Sequence, residues 1–221
     1  FLYASGRLQT LCYKADIEAA LRTPGFAGFQ LLDLHDFPGQ GAALVGVLDA
    51  FWDTKGYVDG REYSMFCNQT VPLVRFPKMT WLNNEWMNVP VEFAHFGNEP
   101  ILNANIRWTI STADNKTIKE GNFIKDLPLD NCIPVGNIET SFEQIKEPTQ
   151  LIVSVELSDK SVKNQWNIWV YPEHKQSVAN KPFVTSTFDD SLIDRLNNGE
   201  NVLILSPKGK VSPEKGGEIA V

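Results

Sequence analysis

The sequence is poor in the residues that build metal sites, disulfide frameworks and membrane spans. Its three cysteines, Cys12, Cys67 and Cys132, are widely spaced and form no CxxC pair. This spacing indicates neither a zinc knuckle nor a disulfide framework, so we expect three free, buried thiols. The three histidines are equally scattered, and spacing alone therefore predicts no metal site. No apolar run approaches the roughly 20 residues of a membrane-spanning helix.

The chain also lacks a surplus of positive charge. Twenty Lys and Arg face 27 Asp and Glu, for a net charge of −7, which argues against a nucleic-acid backbone as a partner. The apolar share of 43% and six tryptophans are ample for a core, and 221 residues suit one large domain or two small ones. The chain begins at Phe1 and shows no signal peptide, so its location cannot be taken from its first residues.

The first segment has the pattern of a helix followed by a buried strand. Residues 7–22 are predicted to be an amphipathic helix, with Ser5 as its cap and Pro24 ending it. Its predicted apolar face comprises Leu8, Leu11, Cys12, Ala15 and Ala19. Glu18 lies in the middle of this helix, where we expect a solvated or paired carboxylate.

A nearly continuous apolar run over 29–34 is typical of a parallel strand covered on both faces. Asp33, His35 and Asp36 come where that strand would end, which is where α/β barrels keep their chemistry. A Gly/Pro loop follows over 35–43. Residues 44–52 fit a short helix or a packed loop, and residues 60–68 fit a helix.

From Val71 the period changes to the alternation of half-buried strands. Strands are predicted at 71–76, 89–95, 104–110, 151–157 and 166–171, with turns between them. This spacing indicates an antiparallel β-sandwich. Its predicted core includes Phe93, Ile106, Trp108, Val153 and Val155. Trp166 and Trp169 have opposite parity, so one of them should face outward.

The last segment predicts a single parallel α/β unit that is not complete. A strand at 183–185 precedes a helix at 190–197, with Asp189 or Asp190 as its cap and Gly199 closing it, and a strand follows at 201–205. The predicted domains are 1–70, 71–172 and 173–221. With the end of one domain and the start of another, the chain is expected to be a piece of a larger polypeptide.

Several stretches resemble a known family. ASGRLQTLCYKADIEAALRTPG at 4–25, GFQLLDLHDFPGQG at 28–41 and VGVLDAFWDTKGY at 45–57 resemble the last helix and eighth strand of the catalytic barrel in glycoside hydrolase family 2-like proteins of gut Bacteroidetes. Such proteins are commonly labelled β-galactosidase or sugar-binding hydrolase. The stretch at 71–97 resembles the immunoglobulin-like sandwich that follows this barrel. The resemblance covers roughly residues 1–205 and is most specific in the first 100.

The resemblance implies a mixed fold: the tail of a (β/α)8 barrel, an immunoglobulin-like antiparallel β-sandwich, and the start of an accessory α/β domain. It implies an exo-acting, β-galactosidase-like glycoside hydrolase that cleaves plant or host glycans and is periplasmic or secreted. No cofactor is implied. The partners would be an oligosaccharide or polysaccharide substrate and the remaining domains of the parent chain. The acid/base and the nucleophile would both precede Phe1, so the fragment alone is expected to be inactive.

The resemblance also implies that the loop after strand eight lines the sugar site. Candidate substrate contacts are Asp33, His35, Asp36, Phe37 and Gln40, because carboxylates accept hydroxyl hydrogens and His and Gln donate or accept them. Each polar group has a structural alternative, and Phe37 either stacks on a sugar or plugs the barrel mouth. A second hypothesis for the chain is a non-catalytic carbohydrate-binding or interaction module built on residues 71–171.

Overall fold

The computed structural model describes residues 1–26, 28–39, 44–159, 162–173 and 182–207. The chain divides into two compact units, Phe1–Glu173 and His174–Val221. The predicted three-way division at residues 70 and 172 stays a prediction.

Helix α1 spans Leu2–Leu21, so it begins earlier than the sequence pattern predicts. Ser5 is not its cap, because it lies inside the helix and donates from Oγ to the Leu2 carbonyl at 3.0 Å. The helix ends before Pro24, as predicted. The prediction that the apolar face of this helix packs into the core is wrong, because all five of its residues are exposed. The face that packs against the rest of the unit instead carries Gly6, Thr10, Ile17, Glu18 and Leu21.

The predicted buried strand at 29–34 is absent. His35 forms one isolated parallel bridge with Leu48. Of the apolar side chains before it, Phe29 and Leu32 are exposed, Leu32 by 79%, and Leu31 and Leu34 are partly exposed. Asp33 has a φ of +62°, which breaks an extended backbone, and no other strand among the described residues lies beside the segment. The structure therefore shows no barrel tail in the described residues. Helix α2 at Gly60–Ser64 is shorter than predicted, and Asp59 caps it by accepting from Glu62 N at 2.7 Å.

In the first unit, the described residues after α2 form eight strands in two sheets. One sheet has the order β1-β3-β6, and the other has the order β2-β8-β7-β4-β5. Every pair is antiparallel except β2 with β8, which is parallel. The strands are β1 Thr70–Val74, β2 Thr80–Leu82, β3 Trp86–His95, β4 Ile101–Thr112, β5 Thr117–Leu127, β6 Asp130–Ser141, β7 Thr149–Leu157 and β8 Lys163–Tyr171.

The two sheets share one hydrophobic core. All five predicted core residues belong to it and are at most 7% exposed. They meet across strands, as in the pair Trp108 and Val155 of β4 and β7, because one face of each strand turns inward. Trp166 is buried and Trp169 is 39% exposed, as their parity predicts. The structure is mainly β-sheet, whereas the sequence predicted a mixed fold, and the immunoglobulin-like class of the sheets stays a prediction.

The second unit contains the predicted strand, helix and strand. β9 at Phe183–Thr185 and β10 at Val202–Ile204 pair in parallel. Helix α3 at Asp190–Asn197 lies between them in sequence. Asp189 caps it by accepting from Leu192 N at 3.1 Å, and Gly199 follows it with a φ of +76°.

Within the described part of the chain, no helix is both long and apolar enough to cross a membrane. The same residues contain no group of three or more His, Cys, Asp or Glu side chains placed to hold a metal ion. The cysteines are free, but the prediction that they are buried is wrong: Cys12 is exposed and the other two are partly exposed.

Candidate functional site

The predicted sugar-contacting loop is held together by a buried carboxylate. Asp36 is 6% exposed, and its Oδ1 accepts from Gly46 N at 3.0 Å and from Lys55 Nζ at 2.7 Å. Lys55 Nζ also donates to the Gly46 carbonyl at 2.7 Å. The hydrogen bond from Lys55, assisted by the Gly46 amide, lowers the pKa of Asp36. Asp36 therefore stays ionised, and its hydrogen bonds to Gly46 and Lys55 hold residues 44–55 against its own segment.

Three of the other four candidate residues of the loop are more accessible than Asp36. His35 and Asp33 are partly exposed and Phe37 is 48% exposed. The His35 ring lies against Trp52 with centroids 4.4 Å apart, and its Nδ1 is 2.6 Å from the Asp36 carbonyl oxygen. Gln40 lies outside the described residues. The loop thus brings His35 and Asp36 together with Lys55, a partner that sequence reasoning missed.

A second candidate site is a cleft of about 590 Å³ between α1 and the strands. Most of its walls are apolar or aromatic, and its charged residues come mainly from one face of α1. Its lining comprises Arg7, Thr10, Leu11, Lys14, Ala15, Glu18 and Arg22 of α1; Glu62, Met65 and Phe66; Val74, Arg75, Phe76 and Met79; and Gln165, Trp166, Asn167 and Trp169 of β8.

Glu18 anchors the floor of this cleft. Its side chain is 4% exposed, and Lys14 Nζ lies 2.5 Å from Oε1 while Arg22 Nη1 lies 3.6 Å from Oε2. From β8, Asn164 Nδ2 donates to Oε1 at 2.8 Å and Trp166 Nε1 lies 3.0 Å from Oε2. Glu18 is therefore a paired carboxylate, which is one of the two alternatives expected from the sequence. Its hydrogen bonds connect α1 to strand β8.

Lys14 shares this buried position. Its ammonium lies 4.9 Å from the centre of the Trp166 ring and 5.5 Å from that of Phe66, and it also hydrogen-bonds Asn164 Oδ1. Burial lowers the pKa of Lys14, and the negative charge of Glu18 acts in the opposite direction. The i, i+4 spacing of Lys14, Glu18 and Arg22 was the available signal for this cluster in the sequence.

Known protein families give a limited comparison. A family model described only as a domain of unknown function, DUF8488, matches residues 85–172, which is less than half of the chain. No curated protein matches the sequence.

Solved structures of several protein classes are similar to part of the chain. They include a Salmonella alpha-2-macroglobulin mutant (13% identity over 48% of this chain, TM-score 0.33) and fibronectin(III)-like modules of Clostridium thermocellum CbhA (11% over 47%, TM-score 0.29, 97% of that chain). A β-glucuronidase from glycoside hydrolase family 2 shares 11% identity over 63% of this chain, with a TM-score of 0.29. The matches span 8% of the macroglobulin and 13% of the glucuronidase. At these TM-scores the similarities assign no activity.

Proposed function

We propose that this chain is part of an exo-acting, β-galactosidase-like glycoside hydrolase, periplasmic or secreted. Residues 1–70 would form the C-terminal end of its (β/α)8 barrel and residues 71–172 an immunoglobulin-like sandwich. Residues 173–221 would begin an accessory α/β domain. Both catalytic carboxylates would lie outside the chain, so the chain by itself would be inactive.

The observation that carries this proposal is the exposed apolar stripe on α1. Leu8 is 62% and Leu11 is 54% exposed, and Cys12, Ala15 and Ala19 are exposed on the same side. A contiguous apolar stripe of this kind marks a surface that another element covers. A barrel in which α1 is the last helix before strand eight would cover it and would also give residues 29–34 the neighbouring strands that they lack.

Sequencing the gene on the 5′ side of the Phe1 codon gives the first test. The proposal requires a barrel there with two carboxylates on separate strands. The complete product should hydrolyse at least one of a panel of aryl glycosides, and the 221-residue chain should hydrolyse none. A complete product without a barrel, or turnover by the chain alone, would overturn the proposal.

A second test compares Leu8→Glu in the chain and in the complete protein. In the chain, where Leu8 is 62% exposed, the change should alter the free energy of unfolding by no more than about 0.5 kcal/mol. In the complete protein it should cost about 2–5 kcal/mol, because a docked leucine is buried. Leu102→Glu, at a 71% exposed position on β4, is the matched control and should be tolerated in both.

We also propose that Asp33, His35, Asp36, Phe37 and Gln40 face the sugar in the complete enzyme. His35 is the most informative of them, because Asp36 already has a structural role. His35→Ala should lower kcat/KM by about twofold to a hundredfold, the value of one or two hydrogen bonds, with little change in melting temperature. A large loss of melting temperature with kcat/KM intact would make the residue structural.

A non-catalytic carbohydrate-binding module is the second candidate function. The cleft beside the partly exposed Trp169 favours it, since aromatic side chains offer flat apolar faces for ligands. Under this alternative the chain binds sugar by itself, and a signal peptide would directly precede Phe1.

A further inference from the structure

We infer that the cleft between α1 and β8 binds a sugar ring that carries one anionic substituent, a carboxylate or a sulfate. This inference deepens the second candidate function by naming its ligand class, and it does not depend on the hydrolase proposal. Size, charge, and the unused polar groups of the cleft each support it.

The volume of the cleft suits a small ligand. About 590 Å³ lies within the range of roughly 300–1,000 Å³ that is usual for small-molecule sites. Such sites are mostly apolar with a few convergent polar groups, and this cleft has that composition. Phe76 and Trp169 supply aromatic surface, and Trp169 is exposed enough to contact a ligand.

The charge of the cleft is opposite to that of the chain. The chain as a whole has a net charge of −7, whereas four cationic side chains and two carboxylates line the cleft. Both carboxylates are already engaged, Glu18 by its donors on α1 and β8 and Glu62 by Arg7 Nη1 at 2.7 Å. The two carboxylates of the cleft therefore have little capacity left to accept hydrogen bonds from a ligand.

Hydrogen-bond donors, in contrast, remain available. Arg75 bonds Glu92 and the Arg22 carbonyl through Nε and Nη2, while its Nη1 makes no hydrogen bond within the described residues. The same holds for Nη2 of Arg7 and of Arg22, which use Nη1. Guanidinium groups match the geometry of carboxylate and sulfate oxygens. An anionic ligand would offer these Nη groups charged acceptors in place of solvent.

The amides of Gln165 and Asn167 point to a sugar as the body of this ligand. Neither side chain makes a hydrogen bond within the described residues, and both line the cleft beside Trp169. Each amide carries a donor and an acceptor, which fit neighbouring hydroxyl groups. An anion without hydroxyls would bury these amides unpaired, at a cost.

An extended acidic peptide added to the edge of β8 is the main rival. Strand β2 pairs with β8 only from Trp169 to Tyr171, so the edge before Trp169 is open. However, the Gln165 N–H, which an added strand would need, already donates to Asn164 Oδ1 at 2.9 Å. That bond disfavours strand addition at this point of the edge.

Ligand-observed NMR and calorimetry on the 221-residue chain test the inference. The probes are methyl β-glucuronide, glucose 6-sulfate, neutral methyl β-glucoside and a short peptide of alternating Glu and Val. We expect at least one anionic sugar to bind with a Kd on the order of 1 mM and at least fivefold more tightly than the neutral sugar. Raising the salt concentration to about 1 M should weaken binding of the anionic sugar. The probe that binds more tightly shows whether the site prefers a carboxylate or a sulfate.

Matched variants locate the binding. Trp169→Ala and Arg75→Gln should each weaken it at least fivefold. Trp86→Ala and Arg107→Gln, at exposed positions outside the cleft, should change it less than twofold.

Arg75→Gln leaves Glu92 unpaired, so Arg7→Gln, whose partner Glu62 is partly exposed, provides a second cation variant if the first does not fold. Equal binding of neutral and anionic sugars, lost in Trp169→Ala, would refute the anionic class and leave the module hypothesis standing. Binding of no sugar, of the peptide alone, or binding insensitive to Trp169→Ala would refute both.

Discussion

Removing the charge of Glu18 should be among the most damaging single changes to this chain. Glu18→Gln keeps the size of the side chain but leaves the Lys14 ammonium, whose side chain is 17% exposed, without its counter-charge. Breaking a buried ion pair by removing one partner costs about 3–5 kcal/mol. For a unit of this size, that corresponds to a fall in melting temperature of roughly 6–20 °C. Urea titration followed by tryptophan fluorescence and a thermal scan would measure both.

Glu120→Gln is the matched control for Glu18→Gln. Glu120 pairs with Arg107 at 2.6 Å, but its side chain is 56% exposed, so the change should cost no more than about 1 kcal/mol. The double variant Lys14→Met/Glu18→Leu should be more stable than Glu18→Gln, because it removes both charges. A Glu18→Gln variant within about 1 kcal/mol of the parent would refute the view that this ion pair is buried and structurally required.

Two further changes test the packing of the first unit. The Tyr63 hydroxyl is buried without a hydrogen-bond partner in the described residues, so Tyr63→Phe should raise stability at pH 7 by about 1 kcal/mol. Burial first, then nearby Cys67, raises the pKa of Tyr63 to about 12. The folded pKa is above the unfolded value of 10.0, so the free energy of unfolding should fall as pH rises from 10 toward 12, because the unfolded tyrosine ionises there and the folded one does not. Tyr63→Phe should flatten that fall in pH-dependent urea titrations, and an unchanged profile would contradict the argument. Gly6→Ala would place a Cβ 2.4 Å from the Tyr57 ring and should cost about 1–3 kcal/mol by thermal denaturation, whereas Gly60→Ala, with open space around it, should not destabilise; equal effects would contradict the packing argument.

The strands of the core were predictable where one face is buried without interruption. Strand β4 alternates cleanly, and β7 does so except at Ser154, which is buried between Val153 and Val155. All the core residues predicted on these two strands face inward. Strand β6 was not predicted, because its buried positions change from odd-numbered to even-numbered residues partway along the strand. Asn131, Ile133 and Val135 are buried, and then Ile138 and Thr140. A register shift against β3 near Gly136 moves the following residues to the other parity. Strand β5 was not predicted, because it is an edge strand in which Leu127 is the only buried residue.

The first 60 residues show where pattern reasoning fails. An apolar run such as Phe29–Leu34 predicts burial, but burial requires a partner, and the described chain offers none. For α1, periodicity correctly predicted a helix but selected the wrong face as the core. The buried face contains Gly6, Thr10 and Glu18, residue types that carry no hydrophobic signal. Glu18 is buried because Asn164 and Trp166 satisfy it, and those partners are about 150 residues away, beyond the reach of any local pattern.

The same separation sets an order of events during synthesis. Glu18 and Asn164 are 146 positions apart, and translation proceeds at about 5–20 residues per second, so roughly 7–30 seconds pass between the two. Throughout that interval Asn164 and Trp166 of β8 do not yet exist to bind the Glu18 carboxylate and the Lys14 ammonium. The two charged groups therefore remain in water. Helix α1 can form early from its local hydrogen bonds, but its contacts with β8 form only when that strand, one of the last of the unit, has been made. The final docking of α1 is therefore a late step, in which the β8 side chains convert a solvated ion pair into a buried one.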